Sequence, residues 1–438
     1  MKFSQKQLVI IGAAGFVVLI AIVLIFTNLR SKQNAAVFTL KVWGIDNKQA
    51  MDPIIQAYHQ ARPGATVDYT QVDAANYENT LVNALASGQG PDVFYIGNRE
   101  LPKQKDRIVP LDPTQFPGTG ITSFRALFPT APEQDFVSGG QIYAMPLYID
   151  TLALLYNKDF FDQAAIVAPP ATWDDFQSDV AKLRVVNQNG QITRAGAAIG
   201  GTEKTVDSGV DLLNLLMLQN GTQMISNDLT QANFDGTSQA TVNAGGSAFN
   251  FYLQFANAGS PYFTWNEGQP NSLDSFASGK TAMILDYQSS IPTIMTKSPF
   301  LKFGVAPIPQ PTGATLSIAY PKYYGLAVSK QSTNQHWAWD FILYLTTAPG
   351  NAKIYANATG HPPALRAMIG ALADDPTLGV FERQALTART WYEVDDTAID
   401  TIFNSAIESV LTGQTDSRTA LRQAQDQVSQ LMQAHGKQ

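Results

Sequence analysis

The chain has 438 residues, 45% of them hydrophobic and 15% charged, with no cysteine and a formal charge of −7; that length sets a prior of about two or three domains. Residues 1–36 hold four basic side chains (Lys2, Lys6, Arg30, Lys32) and no acidic one, so the rest of the chain carries −11, which argues against the clustered basic surface of a nucleic-acid binder. The absence of cysteine excludes disulfides, thiolate nucleophiles, cysteine-ligated zinc and iron–sulfur clusters.

Residues 8–26 (LVIIGAAGFVVLIAIVLIF) are 19 uncharged apolar residues, and a helix of that length spans about 28 Å, close to the hydrocarbon thickness of a bilayer. A secretory h-region is only about 7–15 residues long and leads into a small-residue cleavage site. Here Thr27-Asn28-Leu29-Arg30 follows, with Ala35-Ala36 as a weak cleavage candidate. We read residues 1–7 as a cytoplasmic stub, 8–29 as a transmembrane anchor lying in the lipid bilayer, and 30–36 as a linker. A slowly cleaved signal is the alternative. The positive charge ahead of the span favours a cytoplasmic N-terminus and an outside globular part.

The soluble part opens with a strand over 38–45. Asp52-Pro53 then starts a helix striped by Ile54, Ile55, Tyr58 and Ala61. A second strand covers 66–72, a helix carries Tyr77, Leu81 and Leu85, and a short buried strand covers 92–96. The order βαβαβ opens a parallel sheet covered by helices, in which ligands sit beyond the carboxyl ends of the strands. Residues 143–156 form a long extended run, a candidate crossing between two lobes. Thr172 caps a helix with Trp173, Phe176, Val180 and Leu183 on its face. Helices and short apolar strands alternate onward, at 210–219, 240–256, 281–285, 303–306 and 325–328. Near the C-terminus Ile399, Ile402, Phe403, Ala406, Ile407 and Val410 make a continuous helical stripe. The fold class is α/β with two lobes.

Histidines 59, 336, 361 and 435 are scattered, and no HExxH, GxSxG, Walker loop or strand-linked GxGxxG occurs. The acidic doublets Asp174-Asp175, Asp374-Asp375 and Asp395-Asp396 read as helix starts, because adjacent helical residues face apart. No catalytic residue, cofactor or metal set emerges.

Several segments together resemble one family. They are Arg62-Pro63-Gly64, Ala86-Ser87-Gly88-Gln89-Gly90-Pro91-Asp92-Val93, Tyr143-Ala144-Met145-Pro146-Leu147, Leu155-Tyr156-Asn157-Lys158-Asp159-Phe160-Phe161, Pro169-Pro170-Ala171-Thr172-Trp173-Asp174-Asp175-Phe176, and Phe276-Ala277-Ser278-Gly279-Lys280-Thr281-Ala282-Met283. In this order they resemble the family-1 extracellular solute-binding proteins, the maltose-binding-protein-like receptors of bacterial ABC importers. The resemblance implies a type II periplasmic-binding-protein-like fold over 37–438, to which the apolar run adds the preceding transmembrane helix. Lobe 1 is expected over 37–147 plus 288–325, and lobe 2 over 148–287 plus 326–438. It also implies a receptor that closes on a small solute, a sugar or oligosaccharide, and hands it to ABC permease subunits. A carbohydrate-active enzyme on the same fold, and a receptor for a peptide or polyamine, are the alternatives. The missing lipid-attachment cysteine departs from the family's usual tether, and the apolar span would replace it.

Ligand contacts are then expected at strand ends and interlobe loops, where aromatic faces meet apolar sugar patches and polar groups meet hydroxyls. The candidates are Trp43, Asp46, Asn98, Arg99, Asp150, Trp265, Asp286, Tyr287, Tyr324 and Trp391. Asp150 also reads as a cap or a hinge pair, Trp43, Tyr287 and Trp391 as core, and Asn98 and Arg99 as solvated loop residues.

Overall fold

The computed structural model describes residues 37–236, 243–371 and 374–435. The anchor expected over 8–29, with its stub and linker, lies outside the described residues. Among those described, no helix is long and apolar enough to cross a membrane.

Strand Phe38–Gly44 buries Phe38, Leu40, Val42 and Gly44 in strict alternation, as a period of two requires. It pairs in parallel with Ala65–Gln71 and Val93–Gly97. Helices Lys48–Ala61 and Tyr77–Ala86 make the crossovers. The first helix starts ahead of Asp52-Pro53. Asn47 is its cap, accepting from the Gln49 N–H at 2.8 Å, and Pro53 falls inside. The expected βαβαβ opening therefore forms, with a shifted helix start. The sheet continues with Tyr324–Ser329, antiparallel to Val93–Gly97, and beyond it Ile108–Val109; Ala144–Pro146 also pairs with Tyr324–Ser329.

The second lobe is built on Ala153–Asn157, flanked antiparallel by Met283–Asp286 and Phe303–Ala306. Helices Trp173–Leu183, Gly209–Gln219, Ala244–Leu253, Asp396–Leu411 and Ser417–His435 pack on it. Ile399, Phe403, Ala406 and Ile407 are buried as their stripe requires.

The run 143–156 does pass between lobes, but not as one strand. Ala144–Pro146 belongs to the first sheet and Ala153–Asn157 to the second, while Asp150–Thr151 pairs with Pro321–Lys322 at the hinge. A further passage lies between Met368, packed in lobe 1, and Val380, packed in lobe 2. Gln384 ties the hinge together: its amide donates to Thr151 Oγ1 (3.1 Å) and the Leu152 carbonyl (3.0 Å), and its oxygen accepts from the Ile308 N–H (2.8 Å).

The expected lobe boundaries need correction. Ile291, Ile294, Ala306 and Ile308 pack in lobe 2, whereas Leu326, Trp339, Phe341, Tyr355 and Leu365 pack in lobe 1. A boundary at 325/326 would cut through strand Tyr324–Ser329. The chain returns to lobe 1 through that strand and stays there for the two following helices, Gln335–Thr347 and Pro349–Thr359.

Candidate functional site

The loop leaving the carboxyl end of Val93–Gly97 carries Asn98 and Arg99, and the short helix Leu101–Gln104 adds Lys103. Opposite them stand Asp211, in the first turn of Gly209–Gln219, and the segment 390–400 of lobe 2. Arg99 crosses the gap. Its Nη1 lies 2.9 Å from Asp211 Oδ1, and its Nη2 lies 2.7 Å from Asp400 Oδ1 and 3.3 Å from Glu393 Oε2. Lys103 crosses beside it, reaching Asp396 at 2.6 Å and Asp395 at 3.6 Å while holding Glu78 of its own lobe at 2.7 Å.

Burial disfavours the charge on Arg99, yet Glu393, Asp400 and Asp211 together hold its pKa well above the ordinary value. The same crowding acts oppositely on the acids. Burial, with Asp400, Asp396 and Asp211 nearby, raises Glu393 well above the carboxylate range despite Arg99. Three carboxylates crowd one guanidinium, and their mutual repulsion adds to burial in raising the most deeply buried of them.

A cavity of about 520 Å³ opens at this junction, lined from lobe 1 by Asn98, Arg99 and Asp135 and from lobe 2 by Thr390, Trp391 and Tyr392. Its size falls within the range of small-molecule pockets. Asp135 is its polar hub. It accepts hydrogen bonds from the Tyr323 and Thr390 hydroxyls and, at 3.4 Å, from the Asn98 amide. Burial pushes the Asp135 carboxyl up to about 7, with those donors and Arg99 pulling the other way. Trp391, half-buried, donates from Nε1 to Asn214 Oδ1 at 3.2 Å and lines the cavity.

The structure thus brings Asn98, Arg99 and Trp391 to one cavity. Tyr287 lies behind them: it is buried, donates to Asp211 Oδ2 at 2.9 Å, and has Lys322 Nζ 5.7 Å from its ring centre. Tyr324 is half-buried in lobe 1, with Tyr77 edge-on at 6.3 Å and Tyr95 tilted against it at 6.1 Å. Its hydroxyl is raised by burial and by Glu100, Asp396, Glu78 and Asp46. Trp43 packs half-buried on the lobe 1 core.

Four candidates sit elsewhere. Trp265 is fully buried in lobe 2, with Nε1 donating to Thr205 Oγ1 at 3.1 Å, because its loop folds inward. Asp46 is a buried hub of lobe 1, accepting from the Tyr95 and Tyr355 hydroxyls at 2.7 Å each and facing His361 Nε2 at 3.3 Å. Burial would raise the Asp46 carboxyl, but His361, Tyr95 and Tyr355 outweigh it and hold it low. Asp150 sits at the hinge, in the strand pair with Pro321–Lys322. It accepts from the N–H groups of Thr151 (2.8 Å), Gln288 (2.9 Å) and Ser289 (3.0 Å), the last two in the short helical turn that follows Met283–Asp286 within lobe 2. Asp286 accepts from the Tyr287 N–H at 2.7 Å and the Ser208 hydroxyl at 3.4 Å. Burial raises both Asp150 and Asp286 to about 6.

Sequence reasoning missed Lys103, Asp135, Asp211, Thr390, Glu393 and Asp400. Two carried a signal: Glu393 stands two residues after Trp391, and Lys103 four residues after Arg99. Asp395-Asp396 is a helix start, since Asp395 Oδ1 accepts from the Ala398 N–H at 3.1 Å, yet both acids also meet Lys103. Among the described residues, no group of three histidine, aspartate or glutamate side chains is placed to hold a metal ion.

Two α/β lobes with a polar and aromatic cleft between them, joined by short crossings, define a two-lobed fold of the periplasmic-binding-protein kind. The model of the bacterial extracellular solute-binding protein family matches residues 44–352, and the chain belongs to that family. It is 26% identical over 389 residues to a binding protein of Brucella abortus (strain 2308), covering 85% of this chain and 87% of that one. It is 22% identical over 351 residues to the maltotriose-binding protein of Pyrococcus abyssi, covering 75% and 67%. The crystal structure of the cyclic α-maltosyl-1,6-maltose binding protein of Arthrobacter globiformis superposes with a TM-score of 0.74 at 18% identity, covering 91% of this chain and 100% of that one.

Proposed function

We propose that this protein is an extracytoplasmic receptor, anchored by residues 8–29, that closes its lobes on a saccharide and delivers it to an ABC importer. The observation that carries the reading is the interlobe cavity of about 520 Å³. It combines Trp391 and Tyr392 with Asn98, Asp135, Thr390 and Glu393. Aromatic planes beside a ring of donors and acceptors suit a molecule with apolar C–H faces and hydroxyl edges. The saccharides in the printed names of the Pyrococcus and Arthrobacter relatives support the same class.

Closure follows from geometry. Cavity walls come from both lobes, so a ligand touches both only when they meet, and that differential contact drives the hinge. Binding without turnover is supported by Asp150 and Asp286, the carboxylates an enzyme reading would use, being committed to backbone N–H groups. A cationic solute such as a polyamine is the second reading, favoured by Asp211, Glu393, Asp396 and Asp400 gathered around Arg99 and Lys103.

A thermal-shift screen of the full chain against oligosaccharides, polyamines and peptides decides between them. A ligand present at about 100 times its Kd adds about 2.7 kcal/mol of stability. Stabilisation by saccharides alone is expected; stabilisation by polyamines or peptides alone would replace the saccharide reading. For the anchor, residues 8–29 are expected to keep the chain in the membrane fraction through alkaline carbonate washing. Release of the chain by that wash would refute it.

A further inference from the structure

A second interlobe cavity, of about 560 Å³, lies beside the first. Its walls are largely polar, with Glu78, Asn79 and Asn83 from lobe 1 and Asp395 and His435 from lobe 2. The two cavities share three wall residues: Pro102 of lobe 1, and Leu229 and Tyr392 of lobe 2. These apolar faces form a waist between the chambers.

Leu229 is the unusual member. It is 49% exposed, so its side chain gains little from burial, and its φ of 58° lies in the left-handed region, where a bulky residue is rare. The tip that carries it is tightly braced. The Ser226 N–H donates to the Gln231 carbonyl (2.8 Å) and the Leu229 N–H to the Ser226 carbonyl (3.0 Å). Asp228 Oδ1 collects the Ser226 hydroxyl at 2.6 Å and the Thr230 hydroxyl at 2.8 Å. The base of the loop is pinned to the C-terminal helix, where the Ala232 N–H donates to Ser429 Oγ at 3.1 Å. A hydrogen-bonded scaffold that holds an exposed leucine in a costly conformation, at the point where two cavities meet, marks a functional position.

We infer that Leu229 is a specificity-determining residue that sets ligand length. With Pro102 and Tyr392 it closes the waist when the lobes meet, confining a short saccharide to the chamber of Trp391. A longer chain must thread the waist to reach the amides and carboxylates of the second chamber. The inference rests on the saccharide reading given above.

The test compares the full chain with Leu229→Gly and Leu229→Trp. Glycine favours positive φ, so the first variant keeps or improves the fold, and its Tm provides the control. Affinities are measured calorimetrically for ladders of α-1,4-glucan, β-1,4-mannan and chitin oligomers. Leu229→Gly is expected to favour the longer members over the shortest by about tenfold relative to wild type, the scale on which small changes in an apolar wall discriminate. Leu229→Trp is expected to shift preference towards the shortest. The same length profile in all three proteins overturns the inference and leaves the receptor reading standing. Failure of every ladder to bind wild type overturns both.

Discussion

Arg99 and Asp400 stand 301 positions apart in the chain and on opposite lobes, yet Arg99 Nη2 lies 2.7 Å from Asp400 Oδ1. The side chain of Arg99 is 11% exposed, so this contact is shielded from the salt screening that weakens surface pairs. Together with Asp211 and Glu393 it joins the two lobes through a buried charged cluster.

Arg99→Ala should open the protein. Removing one partner of a buried ionic cluster leaves uncompensated carboxylates, which costs about 3–5 kcal/mol. Small-angle scattering should show a larger radius of gyration without ligand, and saccharide affinity should fall. A variant that keeps the wild-type scattering curve would mean that the lobes close without this cluster.

The pH profile has a defined sign. Burial raises Asp135, Glu100 and Glu203 to about 7 and Asp150 and Asp286 to about 6. Each holds its proton more tightly folded than unfolded, so stability is lost as pH rises through these values and regained as it falls. Asp46 and Asp396 are held below their ordinary value, so their contribution is lost at still lower pH. Tm should therefore rise by several degrees between about pH 8 and about pH 5, then fall below about pH 4. A flat profile between pH 8 and 5 in thermal unfolding would contradict this; Asp135→Asn should flatten it in part.

Asp150 acts as a hinge cap. Asp150→Ala should lower stability by about 1–2 kcal/mol, the usual cost of losing a helix-start acceptor. Denaturant unfolding measures that loss, and the length preference among saccharides should not move. A change in preference without loss of stability would return Asp150 to the binding surface.

Trp265 and Trp391 should separate cleanly. Trp265→Ala removes a fully buried side chain and should cost about 3–5 kcal/mol of stability. Trp391→Ala, at a half-buried cavity wall, should leave Tm nearly unchanged and weaken saccharide binding about tenfold. Titration calorimetry beside thermal unfolding distinguishes the two, and the reverse pattern would invalidate the placement of the cavity.

The legible part of the candidate site was the part tied to strand ends. Asn98 and Arg99 follow a recognisable buried strand, and Trp391 resembles a late aromatic of the family. Asp46, Asp150 and Asp286 occupy equally suggestive positions but turn to their own backbone or lobe, because each lies next to unpaired N–H groups or tyrosine hydroxyls that need an acceptor. A carboxylate serves a cap and a ligand with the same chemistry, so residue type alone does not separate the two uses.

By itself the sequence determined the βαβαβ opening, the helical stripes and the family, since periodicity, caps and short motifs are local and survive in the linear order. Tertiary structure decided the rest: that residues 326–368 return to lobe 1, that Trp265 turns inward, and that Arg99 meets Asp211, Glu393 and Asp400. Those outcomes depend on which distant surfaces fold together. A charge in the sequence carries no mark of the partner that packing will set against it.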